Sequence, residues 1–333
     1  MIIAKAPHRV SLFGGGTDLP EWYLRHGGAV LGMAIAQYCY VSLRRLPPYS
    51  GAYVHRLVYS RTELVNHLSE IDHPAIRGVL QDAGITEGLE VHHFSDVPHR
   101  AGLGSSSAFT VALLLALAAH HGRIVSKDDL AREGIRLERE VIGEAGGHQD
   151  QVWSSFGGLA RIDFDAAGPH HRPLILPPGR ATELMRHLLL LFTGSHRIAA
   201  EVEARKIKGL SRAEAEMGRI AALVDEGERV LTADGFDPAA LGALLDESWR
   251  LKRGLTSGVS TSEIDELYAT GLRAGAYGGK LLGAGGGGCL LFCVPPDRRE
   301  GLKAALGLVE IPLRVDWDGA KIVVYEPNGL GSA

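Results

Sequence analysis

Three glycine clusters punctuate the chain and limit where its regular elements can lie: GGGTD at 14–18, GLGSSSA at 102–108 and GAGGGG at 283–288. Glycine adopts positive φ without steric cost, and runs of it interrupt helices and strands. The patterned segments therefore sit between the clusters. AVLGMAIAQYCYVSLRRL and LEVHHFSDVP read as strands, and 108–121 reads as a helix. A second helix is expected over 126–143, opened by SKDD, a capping serine with an acid three residues later. GGLARIDF is strand-like. GPHHRPLILPPGR reads as a proline-rich connector, and it divides the chain into an N-terminal lobe, 1–178, and a C-terminal lobe, 179–333. Beyond it HLLLLFTG reads as a buried strand, followed by helical patterns over 199–228, 238–255 and 262–274. CLLFCVP and KIVVYEP supply late strands, with EGLKAALG helical between them. Strands and helices mixed without steady βαβ alternation predict an α+β fold in two lobes.

Composition narrows the function classes. A chain of 333 residues, 45% hydrophobic, has ample core for one large or two medium domains. The formal net charge of -4 and the absence of a basic run argue against nucleic acid as a partner. Every apolar stretch is broken by His, Gly or charge before it reaches membrane length, so no membrane partner is expected. MIIAKAPHRVSL runs straight into patterned sequence without a cleavable signal, which predicts a cytoplasmic location. Cys39, Cys289 and Cys293 have neither disulfide nor metal spacing. In CLLFCVP a strand turns Cys289 and Cys293 to one face, as buried thiols.

Several residues admit two readings. The serines of GLGSSSA, placed before an apolar helical run, suit ordinary capping or an anion site at a helix N-terminus. The stretch is not a Walker A loop, because no Gly-Lys-Ser/Thr closes it. GAGGGG matches G-x-G-x-x-G through Gly283, Gly285 and Gly288, but a strand follows where a dinucleotide fingerprint must open a helix. What remains is a tight hairpin, or close approach of a ligand or a second backbone segment. Glu138 shares a helical face with Val141 and Ile142 at the edge of the stripe formed by Leu130, Leu137 and Val141. It is a surface ion pair with Arg132 or Arg136, or an acid with a buried partner or metal. Asp150, twelve residues on in GGHQDQVW, is a loop cap, a general base or a second acid near a metal. FTGSHRIAAEVEARKIKG carries Ser195, His196, Arg197, Arg205, Lys206 and Lys208, either a solvated basic face or an anion site.

Taken together, APHRVSLFGGGTD, PHRAGLGSSSA and KLLGAGGGGCLL resemble, in order, the three motifs of the galactokinase, homoserine kinase, mevalonate kinase and phosphomevalonate kinase (GHMP) superfamily. Within it GGGTDLPEWY, HQDQ, ESWRLKRGL and GGKLLGAGGGG are similar to the D-glycero-D-manno-heptose 7-phosphate kinases. Galactokinases carry Glu-His-Thr-Asp where this chain has Gly15, Gly16, Thr17 and Asp18. The subgroup commonly has lysine where His148 stands and an aromatic where Val152 stands.

The resemblance implies an N-terminal ATP-binding α/β lobe and a C-terminal ferredoxin-like lobe. It places the ATP phosphates over Gly102, Leu103, Gly104, Ser105, Ser106 and Ser107, with Ser106 and Glu138 holding Mg2+. Asp150 corresponds to the catalytic aspartate that meets the sugar hydroxyl, and Arg9 to its basic partner. Gly15, Gly16, Thr17, Asp18 and Gly285 fall on the sugar side. A substrate that already bears phosphate needs a second anion site, for which Arg197 is the first candidate. The implied partners are ATP and a small sugar phosphate. The implied reaction is ATP-dependent phosphorylation of heptose 7-phosphate at C1, giving the 1,7-bisphosphate for nucleotide-activated heptose synthesis. Another sugar 1-kinase, such as an L-fucose kinase, is the alternative.

Overall fold

The first strand, β1 (Ile2–Phe13), is buried at nearly every position. The computed structural model describes residues 1–47, 51, 53–99, 101–194, 207, 213–256 and 258–327. Antiparallel to β1 lies the long β2 (Gly28–Arg45). Its first half, Gly28 to Met33, pairs β6 (Leu159–Asp165), and its second half, Cys39 to Arg45, pairs β5 (Leu89–Ser95). β3 (His55–Val58) joins β5 in parallel and β4 (Thr62–Val65) antiparallel. β12 (Lys321–Tyr325), from the far end of the chain, closes the free edge of β1. With β7 (Gly168–Pro173) on β6, these form an eight-stranded sheet.

β7 corrects the reading of 168–180 as a connector. Proline cannot donate to a ladder, yet Pro169 and Pro173 are tolerated because β7 is an edge strand paired only to β6. Only after Pro173 does the chain leave the sheet.

A second, four-stranded antiparallel sheet has the order β11 (Val309–Glu310), β8 (Leu188–Phe192), β10 (Cys289–Cys293), β9 (Gly278–Leu281). Helices Glu214–Thr232, Pro238–Leu255, Ser262–Arg273 and Arg299–Leu306 accompany it. Pro238 takes the first turn of its helix, and the Asp237 side chain accepts from Ala239 N at 2.9 Å and Ala240 N at 3.0 Å, so the predicted start holds. Of the pattern at 199–228, the structure describes only the part continuous with Glu214–Thr232.

One core joins the two sheets. Val10, Leu12, Phe13 and Leu31 from β1 and β2 pack with Leu188, Leu190, Leu223, Leu241 and Leu291. Cys289 and Cys293 belong to the same cluster as buried free thiols. A second core lies between the large sheet and helices Pro74–Asp82 and Ser105–His120, through Ile76, Val79, Val41, Val91 and Leu113. Among the described residues no helix is long and apolar enough to cross a membrane.

Candidate active site

The helix expected from residue 108 begins earlier, at Ser105, so the three serines form its first turn. Gly104 is the N-cap, with φ +74°, a left-handed conformation that favours glycine. The first bond inside the helix runs from Ala108 N to Gly104 O at 3.0 Å. The N–H groups of Ser105, Ser106 and Ser107 are thus unused by the helix, at the positive end of its dipole. That is the geometry of an anion site.

The third glycine cluster is the turn of the β9–β10 hairpin, and its close neighbour is the second cluster. A Cβ on Gly283 would lie 2.6 Å from Gly102 Cα, and one on Gly288 would lie 2.7 Å from Ala101 O. The connection is a hairpin, but with Leu282–Gly288 between its strands it is not a tight one, and close approach holds with backbone as the approaching group. Gly285 borders the same cavity, but a Cβ there would strike Val259 backbone at 2.7 Å.

Arg9 follows a register shift between Pro7 and His8 on β1. Such an irregularity bends a strand and re-aims its side chains. Arg9 Nε donates to Asp150 Oδ1 and Nη2 to Oδ2, both at 2.7 Å, while Nη1 donates to Gly102 O at 2.7 Å. The backbone N of Arg9 donates to Leu103 O at 3.0 Å. Asp150 does not sit in a loop: it occupies the first turn of helix Gln149–Phe156, where an acid complements the dipole. A Cβ on Gly104 would lie 3.0 Å from Asp150 Oδ2 and 3.3 Å from Arg9 Cγ, so the helix cap is seated against the ion pair.

Glu138 is buried, but not for the reason its spacing suggested. After helix Lys127–Arg136 the chain continues as a π-helix, Leu137–Ile142, whose wider turn breaks the three-and-four periodicity. Val141 consequently turns outward at 38% exposure. Neither flanking arginine pairs with Glu138: Arg132 is held by Asp128, and Arg136 by Glu133 and Asp82. Glu138 Oε2 accepts from Ser107 Oγ at 2.9 Å and from Gln151 Nε2 at 2.6 Å. Its Oε1 is buried without a partner among the described residues. Burial, reinforced by the Glu144 carboxylate, pushes Glu138 up to about 8. The hydroxyl on Glu138 is thus that of Ser107, whereas Ser106 is exposed and borders the cavity.

On the sugar side, Asp18 Oδ1 accepts from Gly16 N at 2.8 Å and Oδ2 from Gln149 Nε2 at 2.8 Å. One assignment needs correction. The Thr17 hydroxyl donates to Gly14 O at 2.9 Å and Ala29 O at 2.7 Å, and it accepts from Ala29 N. Fully buried, it shapes the loop rather than facing a ligand. Leu103 gives its side chain to the core, which leaves its backbone for the loop, as the expected backbone cradle requires. His148 Nδ1 lies 3.1 Å from Tyr23 OH, and burial pulls the imidazole down to about 4. Arg197, with Ser195, His196, Arg205, Lys206 and Lys208, lies outside the described residues.

Gly15, Gly16, Asp18, Arg9, Asp150, Glu138, Gly285 and the 102–107 loop apart from Leu103 border one cavity of about 1070 Å³. Ser11 Oγ, Ser105 Oγ and Gln149 Oε1, from the same wall, are buried without hydrogen-bond partners among the described residues. Buried polar atoms cost free energy unless bonded, so these await a polar occupant. Sequence reasoning missed Ser11, Glu144, Gln149, Gln151 and Lys280 in this wall. Lys280 left a signal: a lysine within an otherwise apolar and glycine strand is rarely a surface residue.

The GHMP kinases N terminal domain family model matches residues 66–158, and the GHMP kinases C terminal model matches 230–308. A D-glycero-alpha-D-manno-heptose 7-phosphate kinase of Campylobacter jejuni is 29% identical over 322 residues, 92% of this chain and 93% of that protein. The bifunctional fucokinase/GDP-fucose pyrophosphorylase of Arabidopsis thaliana is 27% identical over 86% of this chain and 29% of its own length. The crystal structure of a D-glycero-D-manno-heptose 1-phosphate kinase from Bacteriodes thetaiotaomicron shares the fold, with TM-score 0.77 and 23% identity over 98% of this chain and 100% of that one. The two family regions fall one in each half of the fold, and the N-terminal one contains the loop, acid and aspartate gathered around the cavity. The chain is therefore a kinase that uses ATP, and it belongs to the GHMP kinases.

Proposed function

We propose that the chain transfers the γ-phosphate of ATP to the anomeric hydroxyl of D-glycero-D-manno-heptose 7-phosphate, giving the 1,7-bisphosphate. The observation that carries this reading is the position of Asp150. It is clamped by Arg9 between the free N-terminus of the Ser105 helix and the Gly15–Gly16–Asp18 loop, on one cavity wall. A hydroxyl bound beside Asp150 would face a phosphate bound on Ser105 to Ser107.

The chemistry asked of these residues is positioning and charge stabilisation. Held by Arg9, the Asp150 carboxylate is placed to orient the sugar hydroxyl and receive its proton. The Arg9 guanidinium offsets charge developing on the transferred group. Glu138, with an orphaned buried carboxylate oxygen next to Glu144, suits a hard cation, and the Ser106 hydroxyl borders the same space. These residues would hold Mg2+, which favours oxygen donors and, when bound, neutralises phosphate charge. Gly15 and Gly16 let a sugar ring lie against backbone where galactokinases carry bulkier side chains.

The heptose assignment is supported by the Campylobacter relative and by GGGTD. It is tested by ADP release with heptose, heptose 7-phosphate, heptose 1-phosphate and L-fucose, with the phosphorylated carbon of the product located by NMR. Two charge-assisted contacts to the distal phosphate contribute about 3 kcal/mol, so heptose 7-phosphate should be preferred over heptose by ~100-fold or more in kcat/KM. Equal turnover of free heptose removes the second anion site, and preferred turnover of L-fucose replaces this reading with a fucose-type kinase.

A further inference from the structure

Lys280 sits on β9, where Gly278, Gly279, Lys280 and Leu281 are all buried. It is 4% exposed, yet it borders the cavity alongside Arg9, Ser11 and Asp150. Its Nζ donates to Leu12 O on β1 at 2.7 Å, and this is its one hydrogen bond among the described residues. An ammonium has three donors, so two are left over. Arg9 on β1 is the charge that acts on it, and Asp150 on helix Gln149–Phe156 and Lys252 on helix Pro238–Leu255 line the same cavity. Asp150 is clamped by Arg9, and Lys252 donates to the carbonyls of Leu281 and Gly283.

This is a costly arrangement for a lysine. A cation removed from water needs an anion or a full set of acceptors. Lys280 has one carbonyl and a guanidinium for a neighbour. Burial and Arg9 together pull its ammonium down to about 7. A latch between β9 and β1 would need only a neutral donor to Leu12 O. A cation with unused donors on the wall of a phosphate-transfer cavity suits an anion that arrives with the substrate.

We propose that Lys280 is a further catalytic residue of this kinase, binding the transferred phosphoryl group through the N–H donors that Leu12 O leaves unused. The inference rests on the phosphoryl-transfer reading. As the bond from the γ-phosphorus to the leaving ADP oxygen breaks and the bond to the sugar oxygen forms, Lys280 stabilises charge on the phosphoryl oxygens. The sugar proton goes to Asp150, and Lys280 is unchanged at the end of the cycle.

The test compares wild type, Lys280→Met and Lys280→Arg. The first measurement is calorimetry of a non-hydrolysable ATP analogue at pH 8, without sugar or magnesium, in two buffers of different ionisation enthalpy. An anion raises the proton affinity of Lys280 and of Glu138 alike, so wild type should take up more than Lys280→Met, by a substantial fraction of a proton, and that difference is the lysine's share. The second measurement is steady-state kinetics. Lys280→Met should lower kcat by ~100-fold or more with a small change in sugar KM, and Lys280→Arg should recover part of the loss. A latch alone would alter thermal stability and leave the proton count intact. Equal proton uptake in wild type and a folded Lys280→Met overturns the proposal, as does a kcat within about threefold. A wild-type chain that binds no nucleotide overturns the kinase reading together with it.

Discussion

Asp150 receives Arg9 side-on, one carboxylate oxygen to Nε and the other to Nη2, each at 2.7 Å. Bidentate pairing fixes the carboxylate plane as well as its position, and the third Arg9 contact, to Gly102 O, ties that plane to the phosphate loop. Asp150→Asn keeps the shape but loses the charge and the proton acceptor. It should lower kcat by ~100-fold or more while nucleotide affinity changes little. Near-normal turnover in a folded variant would remove Asp150 from the mechanism.

Glu138 should set the magnesium requirement. Its Oε2 is engaged by Ser107 and Gln151, while Oε1 has no partner among the described residues. Glu138→Gln should therefore raise the Mg2+ concentration for half-maximal rate. Ser106→Ala should do so more mildly, since a hydroxyl is the weaker ligand. Ser107→Ala should fall between them, by releasing the carboxylate it orients. Unchanged magnesium dependence in all three variants would leave Glu138 a structural acid.

The elements were legible where local pattern decides them, as in the helix over Pro238–Leu255 and the strand over Leu188–Phe192. What escaped was set by tertiary context. GPHHRP became a strand because β6 offers an open edge, which no local pattern announces. The burial of Glu138 was expected from a helical face, yet it comes from a π-helix and the side chains of Ser107 and Gln151. Among the site residues, Asp150 and Arg9 were named through the family motifs, and their direct contact depends on a fold that brings together positions 141 residues apart. Thr17 was misplaced because a motif residue can serve the loop's geometry rather than its ligand.

The junction of the second and third glycine clusters gives a stability prediction. Gly283 has φ +72°, and a Cβ there would overlap Gly102 Cα at 2.6 Å, backbone against backbone. Neither partner can move aside as a side chain would. Gly283→Ala should destabilise by about 1–3 kcal/mol from the dihedral alone, and by more from the contact. Gly27→Ala is the control: φ is +71°, but no atom lies within 4 Å. Thermal or urea denaturation of both variants should rank Gly283→Ala clearly below Gly27→Ala. Equal losses would mean that the two clusters do not press on each other.

Buried histidine should make the fold sensitive to acid. His8 is fully buried on β1, with Nε2 3.0 Å from Ser95 Oγ and no hydrogen-bond partner for Nδ1 among the described residues. Burial, with the charges of Arg9 and His93, pulls it down to about 3. In the unfolded chain it titrates near its ordinary value of 6.5. Between these two values the unfolded state holds a proton that the native state refuses, so stability rises with pH there and is lost as pH falls below 6.5. One such group changes the unfolding free energy by about 1.4 kcal/mol per pH unit across that window. Glu138 acts in the opposite sense, because its raised value makes the native state bind the extra proton above about 4.5. Total slopes mix these with His93 and His148, both also pulled down to about 4 by burial, and the difference between wild type and His8→Asn isolates one proton. Urea denaturation at pH 7, 6 and 5 should show His8→Asn losing stability less steeply than wild type, by about 1.4 kcal/mol per unit below 6.5. Parallel pH profiles would mean that His8 accepts a proton in the native state.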